Sequence, residues 1–287
     1  MKPEKRDLKY KINWQDARKS ILDERFKGPK LSFDPKIKEK KAADFSKKIS
    51  EGDFEYGRKT AEIFSDFLEP SYEVLEIGPG PGTVTVPLSK LVKNITSIDL
   101  SLRNIEFLRK NLAEKGCTNV EVINKNWLRM DDSELENSYD LVFCSHFLWM
   151  IPDLEEHINK MENASRRYCA IVQPAGRDKL VKDVFTAITG QEYGGEFEPD
   201  ADYFAYVIIR QWGRLPNVSH FSYSNTMTID EKVRSIASFI GRFVEVDKER
   251  VEKIRELIAP HAEDSIFRET MNAVVMWWEV PGNRIEQ

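Results

Sequence analysis

This chain of 287 residues holds little that suits cross-linking, metal binding or membrane passage. It has three cysteines, Cys117, Cys144 and Cys169, and their spacing fits neither a zinc site nor a redox pair. Cys144 and Cys169 fall in apolar stretches where a small buried residue is expected, so packing is their expected role. There are only four histidines, and no His/Asp cluster has ligand spacing, so no metal is expected. No apolar run approaches the roughly 20 residues of a membrane-spanning helix. The opening Met1-Lys2-Pro3-Glu4-Lys5-Arg6-Asp7 lacks the apolar stretch of a signal peptide, so a cytoplasmic location is the default and no membrane partner is expected. An excess of one charge is missing too. With 43 Lys and Arg against 48 Asp and Glu, the net charge of -5 gives the whole chain no general attraction for nucleic acid. Repeats and low-complexity tracts are absent, and no pattern specifies an oligomeric state.

What is present is concentrated between residues 74 and 99. Val74, Leu75 and Ile77 form the apolar run of a strand buried on both faces. Gly78, Gly80 and Gly82 follow, allowing positive φ and close approach of a ligand to the backbone. Pro79 and Pro81 stiffen that turn. Thr83 to Leu91 reads as a helix with Val84, Leu88 and Leu91 on one face. Asn94 to Asp99 reads as a second strand ending in an acid, where open α/β sheets place their ligand crevice. A dinucleotide turn runs G-x-G-x-x-G and receives a pyrophosphate on the helix N-terminus. Here the spacing is G-x-G-x-G and Glu76 precedes it, and a carboxylate repels a pyrophosphate. A ligand with an ammonium and a sulfonium, S-adenosylmethionine (SAM), fits that acid better.

These residues resemble a class I SAM-dependent methyltransferase. Glu76 to Gly82 resembles the family's first motif, and Asp99-Leu100-Ser101 its acidic ribose-binding motif. Asn119 to Asn124 is similar to strand three and Lys125-Asn126-Trp127 to the adenine-binding turn. Tyr139 to Ser145 is similar to strand four, and His146 to Asp153 to its active-site loop. Asn126 stands where the family usually has Asp; its side-chain carbonyl can accept the same bond. The resemblance covers about residues 55 to 175. It implies a Rossmann-like α/β fold with a seven-stranded, mostly parallel sheet, helices on both faces and an antiparallel last strand. It implies SAM as cofactor, with Tyr56, Glu76, Gly78, Gly80, Gly82, Asp99, Leu100, Asn126, Trp127 and Ser145 as the residues that bind it. Gly57 is a further candidate at the methionine end.

Residues 1–57 read as a helical N-terminal extension with a basic excess, broken at Gly28-Pro29 and Asp34-Pro35. Trp14, Ile21, Leu22 and Phe26 form an apolar stripe on its first helix. Helix Arg58 to Leu68 leads into strand one. After strand four come a helix from Asp153 to Ser165, strand five from Arg167 to Val172, and helices over 179–189 and 201–212. Strand six spans Asn217 to Tyr223. A helical insert (about 226–264) precedes the last strand, Ala273 to Trp278. Extension and insert together are expected to act as a lid over a domain spanning 58–287.

Methyl transfer from a sulfonium is an in-line displacement in which alignment is the main device. Loss of the sulfonium charge favours a dry site. His146, just past strand four, is the candidate general base. His157, His220 and His261 have no partner by spacing and are expected to be structural. Trp149 is a candidate for lining the substrate pocket, with core packing as its equal alternative. Tyr193, Phe197, Tyr203 and Tyr206 are candidates for an aromatic wall, with packing the favoured role of the two helical tyrosines, Tyr203 and Tyr206. Amino-group methylation of nucleic-acid bases often uses Asn/Asp-Pro-Pro-aromatic after strand four, where this chain has Ser145-His146-Phe147-Leu148. There is no Pro-Cys nucleophile, and Ser145 stands where metal-dependent enzymes place Asp. The expected function is methyl transfer to a small-molecule acceptor, with nucleic acid not expected as a partner. An RNA or protein methyltransferase, and a SAM-binding regulator without transfer activity, are the alternatives.

Overall fold

The computed structural model describes residues 12–27, 43, 45–176, 179–193 and 202–281. The breaks at Gly28-Pro29 and Asp34-Pro35, the loop glycines Gly194 and Gly195, the aromatic Phe197 and the side chain of Phe26 lie outside the described residues.

Seven strands form one sheet in the order β3-β2-β1-β4-β5-β7-β6. They are β1 (Glu73–Ile77), β2 (Asn94–Asp99), β3 (Val120–Asn124), β4 (Tyr139–Ser145), β5 (Ser165–Pro174), β6 (Asn217–Thr228) and β7 (Ile266–Glu279). β1 to β5 pair in parallel, and β7 runs antiparallel to both β5 and β6. The chain moves outward from β1 to β2 and β3, then returns to β4 on the other side of β1. That reversal makes the carboxyl ends of β1 and β4 the place for a ligand crevice.

Helices cover both faces. α1 (Trp14–Lys27), α5 (Leu154–Ala164) and α7 (Asp202–Gln211) pack on the face presenting Leu75, Ile77, Val142, Cys144 and Ile171. α2 (Glu55–Phe64) and α3 (Thr85–Leu88) pack on the other, against Val74, Phe143, Ala170 and Val172. α4 (Leu102–Glu114) joins Val86 and Phe54 through Leu108 and Leu112. A third apolar cluster stands apart from the sheet. It joins α6 (Lys179–Thr189), α8 (Ile229–Ile240) and α9 (Lys248–Ile258) through Phe185, Tyr193, Val233, Phe239, Ile240 and Ile254.

Three local expectations need correction. The helix expected over Thr83 to Leu91 shrinks to α3, a single turn flanked by turns. Pro87 has no N–H to donate back to the Thr83 carbonyl, and that carbonyl is packed against Gly57, where a Cβ would sit 1.8 Å from it. β6 and β7 are each longer than expected, because their outer halves pair with one another from Ser222↔Asn272 to Thr228↔Ile266. That arm alternates half-buried Phe221, Tyr223, Asn225 and Met227 with exposed serines and threonines, which hides it from a search for apolar runs. The insert is two helices, split over Gly241 to Asp247. Thr228 caps the first with a reciprocal Thr228–Glu231 pair.

Candidate active site

The turn after β1 takes the conformation its glycines allow. Gly78, Gly80 and Gly82 all have positive φ, at 69°, 56° and 91°. Two of them meet close neighbours: a Cβ at Gly78 would lie 2.5 Å from the Phe147 ring, and one at Gly82 would lie 2.6 Å from Leu108. Gly80 differs, since a Cβ there would meet nothing within 4 Å. The middle of the turn therefore faces open space rather than packed side chains.

Asp99, buried at the tip of β2, braces that turn. Its carboxylate accepts from the Gly80 N–H at 3.2 Å, the Ser101 N–H at 2.7 Å and the Asn104 side-chain amide at 3.2 Å. Ser101 also caps α4, accepting from the Asn104 N–H. Glu76 is 1% exposed and accepts from the Thr85 hydroxyl at 2.5 Å. Burial pushes its carboxyl up to about 8, opposed by the Thr85 bond and aided by the Asp99 charge. Before a cation arrives, Glu76 is therefore largely protonated at neutral pH.

At the tip of β4, Ser145 Oγ lies 3.2 Å from the buried Tyr56 hydroxyl. The Tyr56 ring makes edge contacts with His146 at 5.4 Å, Phe221 at 5.3 Å and Tyr223 at 5.0 Å. Burial raises the Tyr56 phenol far above its ordinary value and pushes Tyr223 up to about 12, so both stay neutral near pH 7. His146 is exposed and holds φ of 52°, a left-handed conformation that is costly for a side chain of this kind. Its N–H is tied to the Val172 carbonyl at 2.9 Å. The structure thus brings Tyr56, Ser145 and His146 together with two aromatics of the β6 arm.

The other expected residues are spread around this centre. Leu100 is 60% exposed beyond β2. Asn126 caps the turn after β3, its side-chain oxygen accepting from the Leu128 N–H at 3.0 Å, which leaves one lone pair for a ligand. Trp127 is buried in the core, donating its indole N–H to His157 Nδ1 at 3.0 Å. His157 is buried as well. Burial, then the Arg18 and Lys160 charges, lowers its pKa to about 3, so it stays a neutral acceptor. Of the aromatics proposed for the wall, Tyr193 belongs to the separate helical cluster and Tyr206 is 37% exposed on α7. Thr85, Asn104, Phe221 and Tyr223 escaped the sequence reading. The sequence places Phe221 and Tyr223 in strand six without a role in the site, and no pattern marks Thr85 or Asn104. Among the described residues no group of His, Cys, Asp and Glu is arranged to hold a metal ion, and no helix is long and apolar enough to cross a membrane.

Known proteins resemble this arrangement. Residues 68–200 match the profile of a methyltransferase domain. The ribosomal RNA small subunit methyltransferase A of Wigglesworthia glossinidia brevipalpis is 32% identical over 84 residues, covering 29% of this chain and 31% of that protein. The ribosomal protein L11 methyltransferase of Lactobacillus gasseri is 30% identical over 92 residues, covering 30% of this chain and 28% of that protein. The chain therefore spans less than a third of either curated relative. A cyclopropane-fatty-acyl-phospholipid synthase-like protein from Lactobacillus casei shares the fold. Its TM-score is 0.55 at 13% identity, over 92% of this chain and 99% of that one. Together with the sheet order and the turn after β1, these matches give residues 68–200 a methyltransferase domain with the class I fold, the domain class whose methyl donor is SAM. The residues present fit that donor: an open approach over Gly80, an oriented acid at the β2 tip and a buried carboxyl at Glu76. The expectation that nucleic acid is not a partner finds no support in these relatives, one of which is named for ribosomal RNA.

Proposed function

We propose that this methyltransferase acts on a small-molecule acceptor seated between the tip of β4 and the β6–β7 arm. The observation that carries this reading is the cluster of Tyr56, Ser145, His146, Phe221 and Tyr223. It joins the tip of β4 to the arm that leads into α8 and α9, so one wall of the site belongs to β6. Such a wall suits a compact acceptor shielded from water. The N-terminal extension and the insert serve as its lid.

In this reading Gly78, Gly80, Gly82, Asp99, Leu100, Asn126 and Trp127 shape the nucleoside side. Glu76, Tyr56 and Ser145 hold the end that carries the methyl group. The donor supplies an electrophilic methyl carbon on sulfur. The chain supplies alignment, exclusion of water and a proton acceptor. Neutral Tyr56 and Tyr223 do not compete as bases, and the His146 imidazole is the group assigned to take the acceptor's proton.

A second reading, transfer to RNA or to a ribosomal protein, is favoured by the names of the two curated relatives and by the basic excess of residues 1–57. Against amino-group methylation of an RNA base stands the turn after β4, Ser145-His146-Phe147-Leu148. Incubation with methyl-labelled SAM, a small-metabolite panel, small-subunit ribosomal RNA and ribosomal protein separates the readings. Label in a small product supports the first, and label only in RNA or protein replaces it. His146→Ala is expected to slow transfer about 100-fold or more; unchanged turnover would remove the base.

A further inference from the structure

We propose that Arg18 and Gln15 position the loop after β4, and that this latch couples α1 to filling of the donor site. Neither residue lies within the matched segment 68–200. Arg18 is fully buried. Its guanidinium donates to the Leu148 carbonyl at 2.8 Å and to the Pro152 carbonyl at 3.4 Å. Half-buried Gln15 bridges the same loop, donating to the Pro152 carbonyl at 3.3 Å and accepting from the Leu154 N–H at 3.0 Å. The Leu148 carbonyl is bonded in the interior, where an orphaned acceptor would be costly, and the Pro152 carbonyl lies nearer the surface. Here α1 provides the donors.

The far end of the loop touches the donor turn. Phe147 covers Gly78 so closely that a methyl group at Gly78 would overlap its ring. His146 is pinned to Val172 and leans on Tyr56. A continuous set of contacts thus runs from α1 through Leu148 and Pro152 to Phe147 and the glycine turn. Coupling between two sites is reciprocal: a donor that binds more tightly when the latch holds Phe147 against the turn must itself favour the latched state and steady α1, and loss of the latch must weaken donor binding. The inference rests on reading the glycine turn as the donor site.

Hydrogen exchange of the full chain, with and without saturating SAM, tests it. In the wild type SAM is expected to slow exchange of amides 14–22 several-fold. Arg18→Met is expected to abolish that slowing and to raise the Kd for SAM about tenfold by calorimetry, and Arg18→Lys to restore part of both. A merely structural arginine would speed exchange in α1 equally with and without SAM, leaving the ratio as in the wild type; that result overturns the proposal. Gln15→Ala, at a half-buried site, serves if Arg18→Met does not fold: a ratio cut below the wild-type value supports the latch and an unchanged ratio overturns it. Failure of SAM to bind the wild type would instead strike the donor reading itself.

Discussion

The glycine-turn half of this molecule, the proposed donor side, and its β6–β7 arm are specified by different physics. β1 is short, parallel and buried along nearly its whole length, and its following turn depends on three left-handed glycines braced by Asp99. The arm is long and antiparallel, and alternates exposed with half-buried residues. Cross-strand pairs hold it, together with a buried Lys232–Glu269 ion pair to which Asn225 adds a bond at 2.6 Å. Its helices share their own apolar cluster with α6. Backbone conformation defines the first region, and side-chain packing the second. Changes in the first should therefore act on donor affinity, and changes in the second on stability and the acceptor.

The largest effect is expected from Gly57→Ala. The added methyl would collide with the Thr83 carbonyl, which is backbone, so the α2–turn junction must move. Denaturant unfolding should show a loss of about 3 kcal/mol or more. Phe239→Ala is expected to cost about 3 kcal/mol through the cavity left in the helical cluster, while SAM affinity by calorimetry stays within about twofold. A large loss of affinity there would show the two regions to be one cooperative unit. Asp99→Ala should weaken SAM roughly 100-fold, about 2.7 kcal/mol, with the circular dichroism spectrum retained. Unchanged affinity would contradict its ribose role.

The smallest effect, at most about 1.4 kcal/mol per pH unit, concerns pH. The Glu76 carboxyl is raised from its ordinary 4.5 to about 8. Between those values only the unfolded chain gives up the proton, so the empty protein loses stability as pH rises across that window. A cationic donor prefers the ionised carboxylate, so SAM should bind more tightly as pH rises toward 8. Thermal melts and titrations of Glu76→Gln should show both slopes flattened, and slopes equal to the wild type would assign them to another group.

Much of the donor half was legible in the chain itself. The apolar run, the glycine spacing and the acid at Asp99 are local signals, and each appears where expected. The seven-stranded, mostly parallel sheet with its antiparallel last strand followed from the resemblance and matches the sheet observed. The arm was less legible because Ser222, Ser224, Thr226 and Thr228 dilute its apolar residues. Its strand character comes from pairing with β7 at separations of 38 to 50 residues, from Thr228↔Ile266 to Ser222↔Asn272. The same holds for the site. Glu76 was visible, but its partner Thr85 was not, since the bond exists only once α3 folds against β1. Phe221 and Tyr223 reach Tyr56 through tertiary placement alone, and no spacing announces it.

The Asp99–Gly80 hydrogen bond carries a last consequence. The turn holds its shape through the protein's own acid, so its ordering entropy is spent when the chain folds, not when the nucleoside arrives. Capture should then be a fast single step without a slow rearrangement of that turn, and the product nucleoside, which shares the same ribose, should leave through the same unaltered door.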